Sequence, residues 1–452
     1  MHFPKDFVWG AATASYQIEG AAHEDGRGLS IWDTFSRIPG KVANGDTGDV
    51  ACDHYHRYLD DVALMADLGL HSYRFSIAWP RIFPTGSGAV NPKGIDFYKR
   101  LVDALLSRGI KPVATLYHWD LPQGLQDLGG WGNRETAYRF QEYAATMFRE
   151  LGDVVDAWTT INEPFCVAFV SHASGEHAPG YQDWPLAVRV SHHVLLAHGL
   201  GLQAFRQLMP KEKQIGITLN MTVGVPATDT LEDREAAHRF DGYANRWFAD
   251  PIFRGSYPED ILVHYRGMAP IDFIANGDMQ LISQPIDFLG LNYYTRAVCQ
   301  ADPSSPFFGI RTLPPTAPVT DQNWEIVPDC LRQLLIRIEQ DWTRGLPLYI
   351  HENGCAMPDV LGPDGRVHDT GRLQYLRDHF AAAHAAIQAG VNLKGFYVWS
   401  LLDNFEWAWG YEKRFGIVYV DYPTQRRILK DSALWYRDVI RQNGWSDGEQ
   451  AT

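Results

Sequence analysis

The sequence predicts an α/β protein built as a single (β/α)8 TIM barrel, with extended βα loops at the carboxyl ends of its strands. Three observations support this prediction: strand-like and helical segments alternate eight times, no low-complexity linker interrupts them, and two of the strands end in glutamate. Strands that alternate with helices form parallel sheets, and eight such units favour a closed barrel over an open, doubly wound sheet. We therefore expect one domain over residues 1–452.

Each predicted strand is a short apolar or β-branched run that ends at a turn residue or a polar residue. The strands are predicted at 7–10, 72–78, 111–117, 154–161, 214–219, 287–291, 348–351 and 393–399. At the end of the fourth strand, Asn162 precedes Glu163. If this strand is regular the two side chains point to opposite faces, whereas a bulge would bring them to neighbouring positions.

The helices are predicted from apolar residues at helical spacing. The apolar face of the first helix, residues 53–68, consists of Leu59, Val62, Ala63 and Ala66. The second is marked by Ile95, Tyr98, Val102 and Leu105, and the third by Ala137, Phe140, Ala144, Met147 and Leu151. Further helices are predicted at 185–209, 231–249, 328–342, 371–388 and 431–441. The remaining length falls into βα loops, chiefly 27–49, 175–184 and 301–327.

Polar and aromatic side chains collect at the ends of the predicted strands. In chain order they are Gln17, Arg74, His118, Trp119, Asn162, Glu163, Asn220, Asn292, Tyr293, Tyr294, Glu352, Trp399, Glu406 and Trp407. In a barrel all of these converge on one mouth, where barrel enzymes keep their chemistry. The set contains neither a Cys/His metal cluster nor a phosphate-binding glycine loop, so we predict neither a metal site nor a cofactor.

Composition limits the classes of partner. The net charge of −14 and the pI near 5.6 argue against nucleic acid and anionic membranes, because both require a basic surface. The N-terminus lacks a basic region followed by an apolar core, and no apolar run is long enough to span a bilayer. Five scattered cysteines fit a reducing compartment. We therefore expect a cytoplasmic protein with a small-molecule substrate, and a homo-oligomer is left open.

Aromatic residues are abundant, at 13% of the chain with 15 tryptophans. Several tryptophans lie at predicted strand ends or in loops: Trp9, Trp79, Trp119, Trp324, Trp399, Trp407 and Trp409. Aromatic rings in such places suit a flat ligand with an apolar face and polar edges, such as a sugar ring. Capping of the barrel core is an equally good explanation for any one of them.

Two predicted strands end in a glutamate that a turn residue follows. Glu163 precedes Pro164, and Glu352 precedes Asn353 and Gly354. One such glutamate fits a helix N-cap or a solvated loop, but two on one barrel indicate a carboxylate pair. Across a sugar-shaped pocket, such a pair has the chemistry of glycosidic bond hydrolysis. Carboxyl groups about 5–5.5 Å apart would give retention and about 6.5–9.5 Å apart inversion, and the residues alone leave both open.

Five ordered segments carry a resemblance to a known family. They are FVWGAATASYQIEG at 7–20, YRFSIAWPR at 73–81, TINEP at 160–164, IHENG at 350–354 and WSLLDNFEW at 399–407. The segments TINEP and IHENG resemble the two signature motifs of glycoside hydrolase family 1, and the similarity runs from residue 7 to about residue 436. The resemblance implies a (β/α)8 barrel and a retaining β-glycosidase that needs no metal or organic cofactor.

Carried over residue by residue, Glu163 resembles the acid/base of the family and Glu352 its nucleophile. Arg74, Asn292 and Tyr294 resemble the residues that support this pair. The residues that resemble substrate ligands are Gln17, His118, Trp119, Asn162, Cys166, His177, Asn220, Trp324, Trp399, Glu406, Trp407 and Phe415. Among these, Trp399 would be the platform under the sugar ring and Trp324 the aglycone platform.

Comparison with the family pattern at single positions narrows the predicted substrate class. His351 stands where threonine is usual beside the nucleophile, while Glu163 is retained, unlike in the thioglucosidase branch. Glu406 and Trp407 match the branch that binds an unmodified sugar. The resemblance thus implies a β-glucosidase for short cellobiose-like oligosaccharides and aryl or alkyl glucosides, with tolerance of β-galactosides and β-fucosides. The alternatives are a 6-phospho-β-glucosidase and a catalytically silent sugar-binding barrel.

Overall fold

The computed structural model describes residues 1–446, and in them eight parallel strands close into a barrel. In chain order these strands are β1 Val8–Ala12, β2 Ser72–Ser76, β3 Lys111–Tyr117, β4 Ala157–Asn162, β5 Gln214–Asn220, β6 Phe288–Asn292, β7 Leu348–Asn353 and β8 Leu393–Trp399. Each strand pairs with the next one in the chain, and β8 pairs with β1. The predicted (β/α)8 barrel is confirmed.

A long helix follows each strand before the chain returns to the next. These helices are α1 His54–Leu68, α2 Pro92–Ser107, α3 Glu135–Leu151, α4 Trp184–Leu208, α5 Leu231–Asp241, α6 Pro328–Ile338, α7 Thr370–Gln388 and α8 Asp431–Gln442. Shorter α-helices lie in the connections at Ser15–Ile18, Ile31–Phe35, Trp79–Ile82, Gln123–Gln126, Trp247–Arg254, Glu259–Arg266 and Asp278–Ile282. Among residues 1–446, no helix is both long and apolar enough to cross a membrane.

The predicted apolar faces of α2 and α3 are confirmed, because all nine residues named for them are buried. The prediction for α1 is wrong at Leu59, which is 60% exposed. Asp61 is buried in that helix instead, where it receives hydrogen bonds from His54 and Arg427. A buried carboxylate with two such partners does not show in an apolar pattern, so periodicity alone misplaces the helix face.

The connections between the barrel strands and the long helices carry their own secondary structure. Strands Val223–Pro226, Arg296–Ala301 and Ile310–Thr312 form a small sheet, and Val418–Asp421 pairs with Arg426–Leu429. The segment Cys166–Ser174, soon after β4, is π-helical, as are Gly242–Arg246 and Glu339–Thr343. Short 3₁₀ turns occupy Ala43–Gly45, Gly130–Gly132 and Trp407–Trp409.

Two shifts of strand register set the positions of the strand ends. Between Thr159 and Asn162, β4 advances three residues while its partner β5 advances two. Between Ile350 and Glu352, β7 advances two residues while β6 advances one. An extra residue of this kind bends a strand and changes the direction of the following side chains. The bulge alternative for Asn162 and Glu163 is therefore the one that the structure shows.

Candidate active site

The carboxyl ends of the barrel strands surround a cavity of about 410 Å³. Most of the predicted site residues line it: His118, Trp119, Glu163, Cys166, His177, Asn220, Asn292, Tyr294, Trp324, Glu352, Trp399, Glu406, Trp407 and Phe415. The other three, Gln17, Arg74 and Asn162, lie behind this lining and hydrogen-bond to it. The structure thus brings the predicted residues together at one mouth, while their roles stay predictions.

Glu352, near the end of β7, is held by one charged and one neutral donor. The Arg74 guanidinium donates to its Oε1 at 2.6 Å, and the Tyr294 hydroxyl donates to its Oε2 at 2.8 Å. Arg74 is fully buried, so its charge is poorly screened by solvent. Burial raises the pKa of Glu352, and these two donors oppose the rise, so Glu352 is the carboxyl of the pair that ionises first.

Glu163 follows β4 directly, and its hydrogen-bond donors are neutral. The Asn292 amide donates to its Oε1 at 2.6 Å, and the Cys166 thiol donates to its Oε2 at 3.0 Å. The backbone of Glu163 has φ +51°, in the left-handed region that L-residues rarely adopt, and its N–H donates to the carbonyl of Thr218. Strained conformations of this kind persist where surrounding contacts fix them, and they are common at functional sites.

Burial and a neighbouring charge both act on the pKa of Glu163. Burial, and then repulsion from Glu352, raises the pKa of Glu163 to about 7. Burial is the larger of these two causes. When the pair holds one proton, that proton therefore resides on Glu163.

A buried hydrogen-bond network connects the two sides of the site. Asn162 Oδ1 accepts from Arg74 at 2.6 Å and from Asn292 at 3.1 Å, and Asn162 Nδ2 donates to His118 Nε2 at 3.1 Å. Burial lowers the pKa of His118 well below its usual value, so the ring is neutral. Because Nε2 accepts from Asn162, the proton of the neutral ring is on Nδ1, and His118 can donate from that atom.

A third carboxyl, Glu406, lies in the loop after β8. Gln17 Nε2 lies 3.5 Å from its Oε2, and Gln322 Nε2 lies 3.4 Å from its Oε1. Burial, and then repulsion from Glu352 and Glu163, raises the pKa of Glu406 to about 8. Glu406 is therefore protonated at neutral pH in this structure and can both donate and accept hydrogen bonds.

Aromatic rings form the walls. Trp119 and Trp407 have ring centroids 4.6 Å apart, His118 stacks against Trp399 at 5.8 Å, and the Tyr294 and Trp324 rings are 5.3 Å apart. Of the tryptophans at predicted strand ends, Trp119, Trp324, Trp399, Trp407 and Trp409 line the cavity. Trp9 and Trp79 are completely buried elsewhere, so the core explanation holds for these two.

Seven lining residues were not predicted as site residues: Val170, Glu176, Met221, Thr222, Thr295, Gln322 and Trp409. They lie in the loops after β4, β5, β6 and β8, where neither periodicity nor a motif identifies a cavity-facing side chain. Only Trp409 carried a signal, because it belongs to the aromatic group near strand ends. It is 47% exposed at the rim, with the Lys413 ammonium 5.1 Å from its ring centroid.

Comparison with known proteins agrees with this geometry. Residues 1–445 match the model of glycosyl hydrolase family 1. The chain belongs to this family. β-Glucosidase A of Acetivibrio thermocellus is 51% identical over 446 residues, which cover 98% of this chain and 99% of that protein. The bifunctional β-D-glucosidase/β-D-fucosidase of Bifidobacterium breve is 47% identical over 460 residues, with 97% and 98% covered.

The chain is also closely similar to a solved structure. The β-glucosidase of Thermotoga maritima in complex with deoxynojirimycin superposes with a TM-score of 0.95 at 49% identity, covering 98% of this chain and all of that chain. The family that the five sequence motifs predicted is therefore confirmed, together with the fold that it implied.

Proposed function

We propose that the protein is a retaining β-glucosidase that releases terminal, non-reducing β-D-glucosyl residues from short oligosaccharides such as cellobiose and from aryl or alkyl glucosides. The observation that carries this proposal is the unequal pair of buried carboxyls at the barrel mouth. Glu352 has charged and neutral donors that favour its ionised form, whereas Glu163 has a pKa raised to about 7. One group can attack and the other can supply a proton, as double displacement requires.

In the first step Glu352 attacks the anomeric carbon, while Glu163 gives its proton to the departing glycosidic oxygen. Arg74 and Tyr294 hold Glu352 with both oxygens engaged, which fixes its orientation before attack. The product of this step is a glucosyl ester of Glu352 and a free alcohol.

In the second step the same groups work in reverse. Once Glu352 is an ester it carries no charge, so the repulsion that raises the pKa of Glu163 disappears. Glu163 then ionises more readily and can take a proton from water as that water attacks the anomeric carbon, which breaks the bond from this carbon to Glu352 and releases the Glu352 carboxylate. Two displacements on the same carbon return the β-configuration, and the pKa of Glu163 follows the charge of Glu352 through the cycle.

Polar groups around the pair support a sugar in the inner part of the cavity. Gln17 Oε1, His118 Nδ1 and Asn292 Oδ1 are buried and have no hydrogen-bond partner within residues 1–446. Buried polar atoms are normally paired, so we propose that sugar hydroxyls satisfy these groups. Asn162 and Glu406 complete the polar set, with Trp399, Trp407 and Phe415 as the apolar surfaces for the ring.

The outer part of the cavity fits the aglycone. Trp324 offers an aromatic surface next to Tyr294, and Cys166, His177 and Asn220 line the same space. Burial lowers the pKa of His177 to about 3, so this ring is neutral as well. Mixed aromatic and neutral polar surfaces bind a second sugar or an aryl group without demanding a charge.

A 6-phosphorylated glycoside fits the cavity poorly. None of its lining residues within the described part of the chain is lysine or arginine, and the phosphate would meet the carboxyl groups instead. Lys413, the cation beside Trp409 at the rim, donates to the carbonyl of Asp321 at 2.8 Å and to its carboxylate at 3.1 Å. A catalytically silent barrel is also disfavoured, since both glutamates keep their supporting partners.

Two further parts of the proposal concern tolerance and location. The relative from Bifidobacterium breve acts as a β-D-glucosidase and a β-D-fucosidase by its name, which supports tolerance of β-fucosides here. All five cysteines of the chain are free thiols. Free thiols are usual in reducing compartments, which supports the cytoplasmic location that the composition predicts.

The test is a proton NMR time course with the purified protein and an aryl β-D-glucoside. Retention requires that the first glucose released is the β-anomer, which mutarotates later. Early α-glucose would mean inversion, and no release of glucose would contradict the proposed activity. An aryl 6-phospho-β-D-glucoside in a parallel tube distinguishes loss of activity from the phosphorylated alternative.

A further inference from the structure

The Cys166 thiol is the hydrogen-bond partner of Glu163 Oε2 within residues 1–446, at 3.0 Å. We propose that Cys166 is a positioning residue for the proton cycle of Glu163: in the free enzyme it accepts a hydrogen bond from the protonated Oε2 of Glu163, and it donates a hydrogen bond to Oε2 when Glu163 is ionised. This inference rests on the proposed function, because it assigns a partner to the acid/base of that reaction.

The two oxygens of Glu163 have different neighbours. Oε1 accepts from the Asn292 amide nitrogen at 2.6 Å, and an amide nitrogen can only donate. The carboxylic acid proton therefore resides on Oε2, next to Cys166 Sγ. A thiol contains both a donor and an acceptor, so it can serve either protonation state without moving, which the Asn292 amide cannot do at Oε1.

The thiol keeps its own proton. Burial, followed by the charge of Glu163, raises the pKa of Cys166 well above its usual value. A thiol in this state is neither a nucleophile nor a metal ligand, because both roles need the thiolate. The Asn220 amide nitrogen lies 3.8 Å from Sγ and can donate to it, so the sulfur is held between Asn220 and Glu163. The thiol therefore stays uncharged and is positioned to donate a hydrogen bond to Glu163 Oε2 or to accept one from it.

Other charged groups act on Glu163 from a distance. Glu352 raises the pKa of Glu163 and Arg74 lowers it. Ionised Glu163 in turn raises the pKa of the Glu406 carboxyl and of the Tyr294 phenol. Glu176 acts on the Cys166 thiol. None of these groups hydrogen-bonds Oε2 in residues 1–446, so changing Cys166 alters the contact of that atom without removing a neighbouring charge.

The experiment is the pH profile of kcat/KM for cellobiose with the wild-type enzyme and the variants Cys166→Ser and Cys166→Ala. A hydroxyl donates more strongly than a thiol and favours ionised Glu163, so the basic limb should move about 0.5 pH unit lower in Cys166→Ser. Alanine donates nothing, so the limb should move about 0.5 pH unit higher in Cys166→Ala. Cys166→Val, which also fills the space, should shift it in the same direction as alanine.

Opposite shifts in the serine and alanine variants would support the inference, because a purely structural role moves the rate and not the midpoint. With dinitrophenyl β-D-glucoside, whose leaving group departs without a proton, the shifts should be smaller. Cys299→Ser controls for thiol replacement, since Cys299 is buried in the small sheet away from the cavity, and its basic limb should match the wild type.

Coincident basic limbs in all the Cys166 variants, or a parallel loss of rate on both substrates, would overturn the role of Cys166 and leave the proposed function standing. If the wild-type enzyme hydrolyses neither substrate, the proposed function fails, and the inference fails with it.

Discussion

Glu163 and Glu352, on the two sides of the cavity, are buried almost equally, yet Glu352 ionises first and Glu163 keeps its proton longer. Glu163 is 5% exposed and Glu352 is 3% exposed. Glu352 contacts a guanidinium and a phenol, whereas Glu163 contacts an amide and a thiol. The comparison shows that the neighbouring donors, and not the depth of burial, decide which carboxyl stays charged.

The largest expected effect comes from replacing Glu352, the carboxyl that contacts the Arg74 guanidinium. Glu352→Ala removes the nucleophile and should lower kcat for aryl glucosides by on the order of 10⁴-fold or more. Because the lost side chain leaves space below the anomeric carbon, added azide should restore turnover and give the α-glucosyl azide. Turnover that survives in this variant without azide would show that Glu352 is not the nucleophile.

The next largest effect comes from replacing Glu163, whose hydrogen-bond donors are uncharged. Glu163→Ala should lower kcat/KM for cellobiose by about 10²- to 10⁴-fold, as expected for loss of a general acid. In the wild type, kcat/KM should fall as pH rises through about 7, because Glu163 loses its proton there, and this basic limb should be absent from the variant. Azide should attack the glucosyl ester from the opposite face and give the β-glucosyl azide. The same azide anomer from both variants would contradict the assigned roles.

Arg74→Lys sharpens the contrast between charge and geometry. Lysine keeps the positive charge but cannot donate at the same time to Glu352 and to Asn162 in the geometry that Arg74 uses. We expect kcat/KM to fall by about 10²-fold. The melting temperature provides the control for folding. Wild-type activity in this variant would mean that a positive charge next to Glu352 suffices without the paired hydrogen bonds of Arg74.

The smallest effect should come from Tyr294→Phe, which deletes one hydroxyl that donates to Glu352 Oε2 at 2.8 Å. Loss of one hydrogen bond to a charged group is expected to cost about tenfold in kcat/KM. Because the hydroxyl favours ionised Glu352, its loss should also move the acidic limb of the pH profile to higher pH. An acidic limb that stays in place would show that Arg74 alone sets the ionisation of Glu352.

The barrel could be predicted from sequence because each of its elements leaves a local pattern. The apolar faces of α2 and α3 and the limits of β3 and β8 all follow from spacing and turn residues. The two glutamates could be found because a strand end is also a local feature. Their assignment as acid/base and nucleophile came from the family motifs and stays a prediction.

What sequence could not supply depends on contacts between distant segments. The register shift near the end of β4, where the side chains of Asn162 and Glu163 both reach the Asn292 amide, depends on pairing with β5. The burial of Asp61 depends on Arg427, far along the chain. The Cys166 contact is local but weak as a signal, since a cysteine three residues after a glutamate has no chemical meaning until the backbone turns it toward Oε2.

The most direct test of the account is covalent trapping with a dinitrophenyl 2-deoxy-2-fluoro-β-D-glucoside. The fluorine slows both steps, while the good leaving group lets the first one proceed, so a glucosyl ester should accumulate. Mass spectrometry of the peptides should place a single fluoroglucosyl group on Glu352. A label on Glu163, or turnover of glucosides to α-glucose without any label, would contradict the division of roles between the two carboxyls.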